Sequence, residues 1–353
     1  MADISIIIVT HNHKEYIEKC LNSIPSNLEI ILVDNISTDG TPELIEAEYP
    51  NVKLIKSNEN LGYGKGVNLG VKNSKGNYLV ILNPDTIIEE NSIEELVKPL
   101  IPNNEIITVP KVMLYDGSKI NTCGNIEHFT GLTFTRGLGK KDSYYDEEEY
   151  LGGLSGVCFA LNKHLYHKIG GFDENIFLYM EDAEISWKIN SLGYKILYVP
   201  NSVFYHDYKL EVNAEKIYHL ELGRYIILRK YFLWKHFLVF FPSLIITEMF
   251  TMGYALISGP GSVKYKFNAM KDSLKLKVDK IDHNNGKLIQ SLDCNIPIDQ
   301  LSYNSLDKYV KTFGNMIYNA NYLFYLELEK SRVLKFRYTV TNNSKWEINI
   351  KVF

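Results

Sequence analysis

The first hundred residues predict an α/β doubly wound fold, and two features carry that reading. Short β-branched runs, apolar almost throughout, alternate with stretches of helical periodicity. Runs of that kind suit strands buried on both faces, as in a parallel sheet covered by helices. The steady alternation of strand and helix is the pattern of a sheet wound on both sides. Length agrees: 353 residues, 45% hydrophobic, can hold a catalytic domain of about 200–250 residues and an appendage.

Strands are expected at Ile4–Val9, Ile30–Val33, Val52–Ile55 and Tyr78–Leu82. Helices are expected over Glu15–Ile24, over Pro42–Ala47 after a Thr41 cap, over Gly66–Lys72, and over Ser92–Leu100 after Asn91. Phe129–Tyr150, rich in Gly, Tyr and charge, reads as a long surface loop. A second ordered block, Gly152 to about Tyr208, carries a strand at Val157–Asn162, a helix around Glu181–Ser191 and a strand Lys195–Val199 ending at Pro200. The reading therefore divides the chain into a catalytic domain over 1–208, a basic and aromatic helical segment over 209–283, and a C-terminal extension over 284–353. The extension has a helical stretch at Leu306–Lys330 and a β-like end in which Asn342-Asn343 suits a hairpin turn.

Charge narrows the function. The net charge of −4 gives no global basic field, which argues against a nucleic-acid partner. Between Arg224 and Lys280, however, ten basic residues face three acidic ones, a local +7. At its centre Phe237–Ile257 holds a single charge, Glu248. Pro242, Gly253, Glu248 and basic flanks on both sides argue against a simple membrane span. Two amphipathic helices on an anionic membrane surface fit best, ahead of a buried helix pair. Cys20, Cys123, Cys158 and Cys294 follow no metal-ligand spacing and read as reduced thiols of a cytosolic protein. The N-terminal run lacks the basic region and length of a signal peptide.

In such folds ligands sit at the carboxyl ends of the strands. There the sequence places Thr10-His11-Asn12, then Asp34-Asn35 in VDNISTDG, then the Gly-rich Asn58–Gly70, with Gly62, Lys65 and Asn68, then Asn83-Pro84-Asp85-Thr86. Carboxylate and amide groups could hold a base and ribose, glycines and Lys65 a diphosphate, and Asp85 a divalent cation. Each cluster alone also reads as ordinary turn chemistry opening a helix. Further along, FLYMEDAEISWK contains Glu181-Asp182, where Asp182 is either a base in the first turn of a helix or merely its cap.

Taken together, VTHN, VDNISTDG, NENLGYGKGVNLG, LNPDT, the GGLSGVCFALN…FLYMEDAEISWK block and YHD resemble the family 2 glycosyltransferases of the GT-A fold, especially their rhamnosyltransferase-like branch. The resemblance spans about residues 4–208 and implies an α/β GT-A fold, a Rossmann-like nucleotide-binding mixed sheet flanked by helices, with a C-terminal helical, partly β appendage. It implies an inverting, metal-dependent transfer of a sugar from a UDP- or dTDP-linked donor to a glycan or lipid-linked acceptor, in cell-surface polysaccharide assembly. It makes Asp182 the base with Glu181 in support, and places Asp85 and His206 on Mn²⁺ or Mg²⁺. Asn83, where many relatives have Asp, removes one negative charge. It puts Thr10, His11, Asn12, Asp34 and Asn35 around the nucleoside and Gly62, Lys65 and Asn68 near the diphosphate or sugar, with Asn83 also on the nucleotide, able to ligate through its carbonyl. Gly153, Gly156 and Trp187 fall at the sugar and acceptor sites, although Trp187 also suits the core. The membrane reading would set the protein at the cytoplasmic face of a membrane, with peripheral contact through 224–280. Two rivals remain: a sugar nucleotidyltransferase, and a catalytically silent carbohydrate- or nucleotide-sugar-binding protein.

Overall fold

The computed structural model describes residues 3–207, 213–281, 285–300 and 305–331. Its elements begin β1 (Ile4–Thr10), α1 (Lys14–Ser23), β2 (Glu29–Asp34), α2 (Thr41–Glu48), β3 (Val52–Lys56), α3 (Gly62–Asn73), β4 (Tyr78–Leu82), β5 (Thr86–Ile88) and α4 (Ser92–Val97). Then come β6 (Ile106–Leu114), β7 (Ile120–Thr122), β8 (Asn125–Glu127), β9 (Thr133–Thr135), β10 (Glu149–Leu151) and β11 (Cys158–Asn162). They are followed by α5 (Lys163–Lys168), α6 (Glu181–Ser191) and β12 (Lys195–His206). The remainder is helical: α7 (Ala214–Tyr231), α8 (Trp234–Val239), α9 (Phe241–Ile257), α10 (Pro260–Lys275), α11 (Asn285–Ser291) and α12 (Ser305–Lys330).

One mixed sheet runs β10-β12-β6-β11-β4-β1-β2-β3, with β5 added on β12 and β7 on β6. The strands β4-β1-β2-β3 are parallel, while β11 is antiparallel to both β4 and β6. Alternate residues of β1 feed two apolar layers, Ile7 and Val9 into one and Ile4, Ile6 and Ile8 into the other. Burial on both faces is why these strands are apolar throughout. The chain winds outward from β1 to β3 and returns to β4 on the other side of β1, which creates a switch point at the carboxyl end of β1.

Three expectations change. The Gly-rich run around 62–66 is the first turn of α3 and not a loop. Its glycines bring the helix onto the sheet: a Cβ at Gly66 would stand 2.7 Å from Val9 Cγ1, and one at Gly70 2.5 Å from Ile7 Cγ2. The strand expected to end at Pro200 continues as β12 to His206, with a register shift between Val199 and Val203 where Pro200 lies. Proline has no N–H for the ladder, so the strand bulges and resumes. Finally, 129–150 is not surface throughout. Phe129 and Thr130 are buried, and β9 pairs with β8.

The chain forms two compact units, Met1–Tyr231 with Tyr254–Asp293, and Phe232–Gly253 with Cys294–Phe353. In the first, α7 packs on α10 and on α6. In the second, α8 and most of α9 pack with α12, through Phe240 on Tyr325 and Phe250 on Tyr318. No helix among the described residues is long and apolar enough to cross a membrane. Cys20, Cys123 and Cys158 are buried free thiols and Cys294 is a half-buried one. The expected hairpin at Asn342-Asn343 lies outside the described residues.

Candidate functional site

Strand ends bring the candidate residues to one edge of the sheet. The first turn of the site closes β1 and β2. Thr10 accepts from the Asn35 N–H at 2.8 Å, and His11 Nδ1 lies 2.7 Å from Asn35 O. Asn12, with φ of 59°, accepts from the Thr38 N–H at 2.8 Å and donates its own N–H to Ser37 Oγ. Asp34 and Asn35 are buried, yet each keeps an oxygen, Oδ1 in both cases, without a hydrogen-bond partner. Buried acceptors are rarely left unpaired, and both oxygens are available to donors from water or a bound molecule.

α3 joins this corner to the next. Asn35 Nδ2 donates to Gly62 O at 2.9 Å. One residue on, the Tyr63 hydroxyl donates to Gly156 O at 2.9 Å. Lys65 is half-buried on the same helix and makes no ion pair among the described residues. Asn68 is otherwise engaged. Its Oδ1 accepts from the Tyr166 hydroxyl and from the Phe172 N–H, and its Nδ2 donates to Phe172 O at 3.1 Å. That amide ties α3 to the 172 loop and has little left for a diphosphate.

A second corner forms where β11 begins beside the end of β4. Cys158 pairs with Leu82, and the Asn83 N–H donates to Val157 O at 2.9 Å. Asp85 follows. β12 runs antiparallel to β5 with His206 opposite Thr86, which carries the imidazole to Asp85. His206 Nε2 stands 3.3 Å from Asp85 Oδ1, an oxygen with no hydrogen bond of good geometry. His206 Nδ1 meets Asn121 Oδ1 at 2.9 Å. A carboxamide oxygen can only accept, so Nδ1 donates to it, and Nε2 is left facing Asp85, able to donate to the carboxylate from a charged ring or to ligate a cation from a neutral one. Burial pushes the Asp85 carboxyl up, but contact with His206 and the charge of His13 outweigh it and hold it below the usual range. No group of three His, Cys, Asp or Glu capable of holding a metal occurs among the described residues. A carboxylate oxygen and an oriented imidazole nitrogen nonetheless fit a divalent cation that fills its other positions with phosphate and water oxygens.

The third corner is the start of α6. Tyr179 and Met180 precede it with φ of 58° and 65°, a strained pair for residues with side chains. α7 holds them there: a Cβ on Gly223 would come within 2.5 Å of Met180 Cβ, so the close approach needs glycine. Lys230 of α7 bonds Asp173 and Glu184 at 2.6 Å each, which fixes the body of α6. Asp182 then accepts from Asn125 Nδ2 at 2.9 Å, from the Gly156 N–H at 3.3 Å and from the Ala183 N–H at 2.8 Å.

Two further carboxyls crowd it. Glu181 Oε2 is inaccessible and has no hydrogen-bond partner, while Glu127 is buried with the Thr133 hydroxyl and the Trp187 indole beside its carboxyl. Burial first, then the charge of Asp182, raises both Glu181 and Glu127 above the usual range. Burial raises Asp182 as well, against the pull of its donors. Three donors favour the ionised form at Asp182, whereas Glu181, pushed up to about 8, and Glu127 hold their protons more tightly.

Trp187 does not line an acceptor site. It is wholly buried, with its ring 5.7 Å from Tyr231, and has no surface on which a sugar could stack. Gly153 is placed by packing, since a Cβ there would meet Glu127 Oε1 at 2.7 Å. Gly156 is different, because its N–H and C=O link Asp182 to Tyr63. Asn121, Asn125 and Glu127 escaped the sequence reading. They sit on three-residue strands too short for a periodic signal.

Residues 5–170 match the family described as Glycosyl transferase family 2. The chain is 28% identical over 252 residues to an N-acetylglucosaminyl-diphospho-decaprenol L-rhamnosyltransferase of Mycobacterium tuberculosis, covering 62% of this chain and 81% of the relative. It is 26% identical over 195 residues to the low-salt glycan biosynthesis hexosyltransferase Agl10 of Haloferax volcanii, covering 53% of this chain and 62% of that one. Among solved structures, GalNAc-T7 with UDP, GalNAc and Mn²⁺ aligns with a TM-score of 0.57 at 19% identity, over 78% of this chain and 56% of that one. S. aureus TarS 1–349 aligns with a TM-score of 0.51 at 17% identity, over 100% of both chains. At these identities the structures speak for the fold. Residues 5–170 thus form a glycosyl transferase family 2 domain, and the sheet order and solved neighbours give it the GT-A fold.

Proposed function

We propose that the chain moves a sugar from a UDP- or dTDP-linked donor to a hydroxyl of a glycan or polyprenyl-linked saccharide, with inversion at the anomeric carbon. One observation carries the reading: among three neighbouring carboxyls, Asp182 gathers three hydrogen-bond donors. It is therefore the ionised member, fit to take the acceptor's proton as the hydroxyl attacks. Glu181 supports the acceptor side. Asp34 Oδ1 and Asn35 Oδ1 suit the N–H of uracil or thymine and a ribose hydroxyl. Lys65 supplies a cation for the diphosphate. Asp85 and His206 would hold Mn²⁺ or Mg²⁺, whose charge would stabilise the departing diphosphate. The M. tuberculosis relative is named for a decaprenol-linked acceptor, which favours a lipid-linked acceptor here. With it goes peripheral contact through 224–280 at the cytoplasmic face of a membrane, so that 1–208 catalyses and 209–283 faces lipid.

A thermal-shift series with UDP- and dTDP-sugars tests this. Preferential binding to the native state raises the melting temperature, and Mn²⁺ or Mg²⁺ is expected to enlarge the rise. Asp85→Ala is expected to remove the metal-dependent part, while Asp182→Asn keeps it. A melting temperature unmoved by every nucleotide sugar contradicts the proposal.

A further inference from the structure

The second unit packs around Phe232, Phe240 and Tyr325, yet it also buries polar groups between its helices and turns long apolar stripes outward. Where α9 faces α12, Ser243 Oγ donates to Asn321 Oδ1 at 2.6 Å and Thr247 Oγ1 lies 2.9 Å from the Tyr318 hydroxyl. Asn321 Nδ2 donates in turn to Val239 O at 2.7 Å. Ser243, Thr247 and Tyr318 are fully buried. Residues two positions away along a helix fall on the opposite side, and there Phe241, Ile245 and Met249 are exposed. Trp234 and Leu238 continue the same three-and-four spacing back along α8, and Trp234 is 66% exposed. On α12 Phe313, Met316 and Leu323 face outward while Tyr318 and Tyr325 face inward.

In water a helix pair shows the reverse pattern, apolar inside and polar outside. Hydrogen-bonded Ser, Thr and Asn between helices, with apolar side chains around them, is the arrangement that hydrocarbon favours. The outward residues form continuous stripes and not scattered single side chains, and stripes of that extent mark an interaction surface. α9 has 17 residues, about 26 Å of helix, short of the roughly 30 Å hydrocarbon core.

The first unit repeats the chemistry with charge added. α10 buries Ser262, Lys266, Ala269 and Ser273 and exposes Phe267, Met270 and Leu274. Lys264, Lys271 and Lys275 lie beside them in a parallel row, and Asp272 of that helix is paired with Lys275. This α10 stripe flanked by lysines complements an anionic headgroup layer with hydrocarbon beneath it, whereas the same stripe set against its own copy would bring the lysine rows together.

We propose that the outward apolar faces of α8, α9 and α12 enter one leaflet of an anionic bilayer without crossing it. The inference rests on the membrane contact proposed above for 224–280, and it extends that contact to α12, for which the sequence suggested no role. Sedimentation of the full chain with phosphatidylglycerol–phosphatidylethanolamine vesicles tests it. The parent is expected to pellet with vesicles. The combined exposed-face variant Phe241→Glu, Ile245→Glu, Met249→Glu is expected to bind at least about tenfold more weakly, with donor hydrolysis in solution unchanged. In a Trp346→Phe background, Trp234 emission should shift to the blue on vesicle addition and be quenched by lipids brominated on the acyl chain; Trp187 is buried and stays constant. Parent binding that the triple variant matches overturns this face while membrane contact elsewhere stands. A parent that stays in the supernatant overturns both. A parent dimer that the variant makes monomeric, with no quenching of Trp234, assigns the face to a second copy and also overturns the proposal.

Discussion

Asp182 is singled out by its donors, because an aspartate is a common residue and its surroundings decide its proton. The Asn125 amide and the N–H groups of Gly156 and Ala183 each favour the ionised form, while burial opposes it. Removing one donor therefore raises the Asp182 pKa further. Asn125→Ala is expected to move the acidic limb of the kcat/KM profile up by about one pH unit, since a hydrogen bond to a charged group contributes about 1.5 kcal/mol or more. A limb that stays in place would show that Asn125 does not act on the base. His206 is specified in a similar way, through the proton that Asn121 holds on Nδ1. Neither asparagine was legible in the sequence. Asp182, Asp85 and His206 were singled out because their motifs follow apolar strands or open a helix, and the fold places them where the strand ends meet. Trp187 was left between acceptor site and core because a helix residue five positions from Asp182 can face either way, and burial decides for the core.

At the level of elements, what the sequence disclosed depended on burial. Strands β1, β2 and β4 were readable because both faces are apolar, and α6 and α12 because they are long. The start of α3 was not, since four glycines in nine residues mimic a loop. In the fold they serve contact between helix and sheet. Gly70→Val tests that role: its side chain would collide with Ile7 and lift α3 from β1. Overpacking of this kind costs about 1–3 kcal/mol, read as a lower midpoint in urea unfolding, and an unchanged midpoint would refute the packing account. β12 was cut short at Pro200 because the sequence signals the missing N–H but not the bulge that lets the strand resume.

The molecule as a whole carries buried acids at its centre, and its stability should report them. Glu127 has a raised pKa in the fold from burial and from Asp182, while in the unfolded chain it is close to an ordinary glutamate at about 4.3. The native state thus binds the proton more tightly, and stability falls as pH rises from the ordinary value toward the raised one. Glu127→Gln, which is neutral at every pH, is expected to flatten the decline in melting temperature from about pH 5 upward. An identical slope in parent and variant would contradict a protonated Glu127. The claim that joins fold, charge and function is that Asp182, among three adjacent carboxyls, is the base. Its most direct test is sugar transfer by the isosteric variants Asp182→Asn, Glu181→Gln and Glu127→Gln at saturating donor. Asp182→Asn is expected to lose about a thousandfold or more in kcat with donor binding retained, and Glu127→Gln to stay within about tenfold of the parent. Near-full turnover by Asp182→Asn, or an equal loss in Glu127→Gln, would contradict the account.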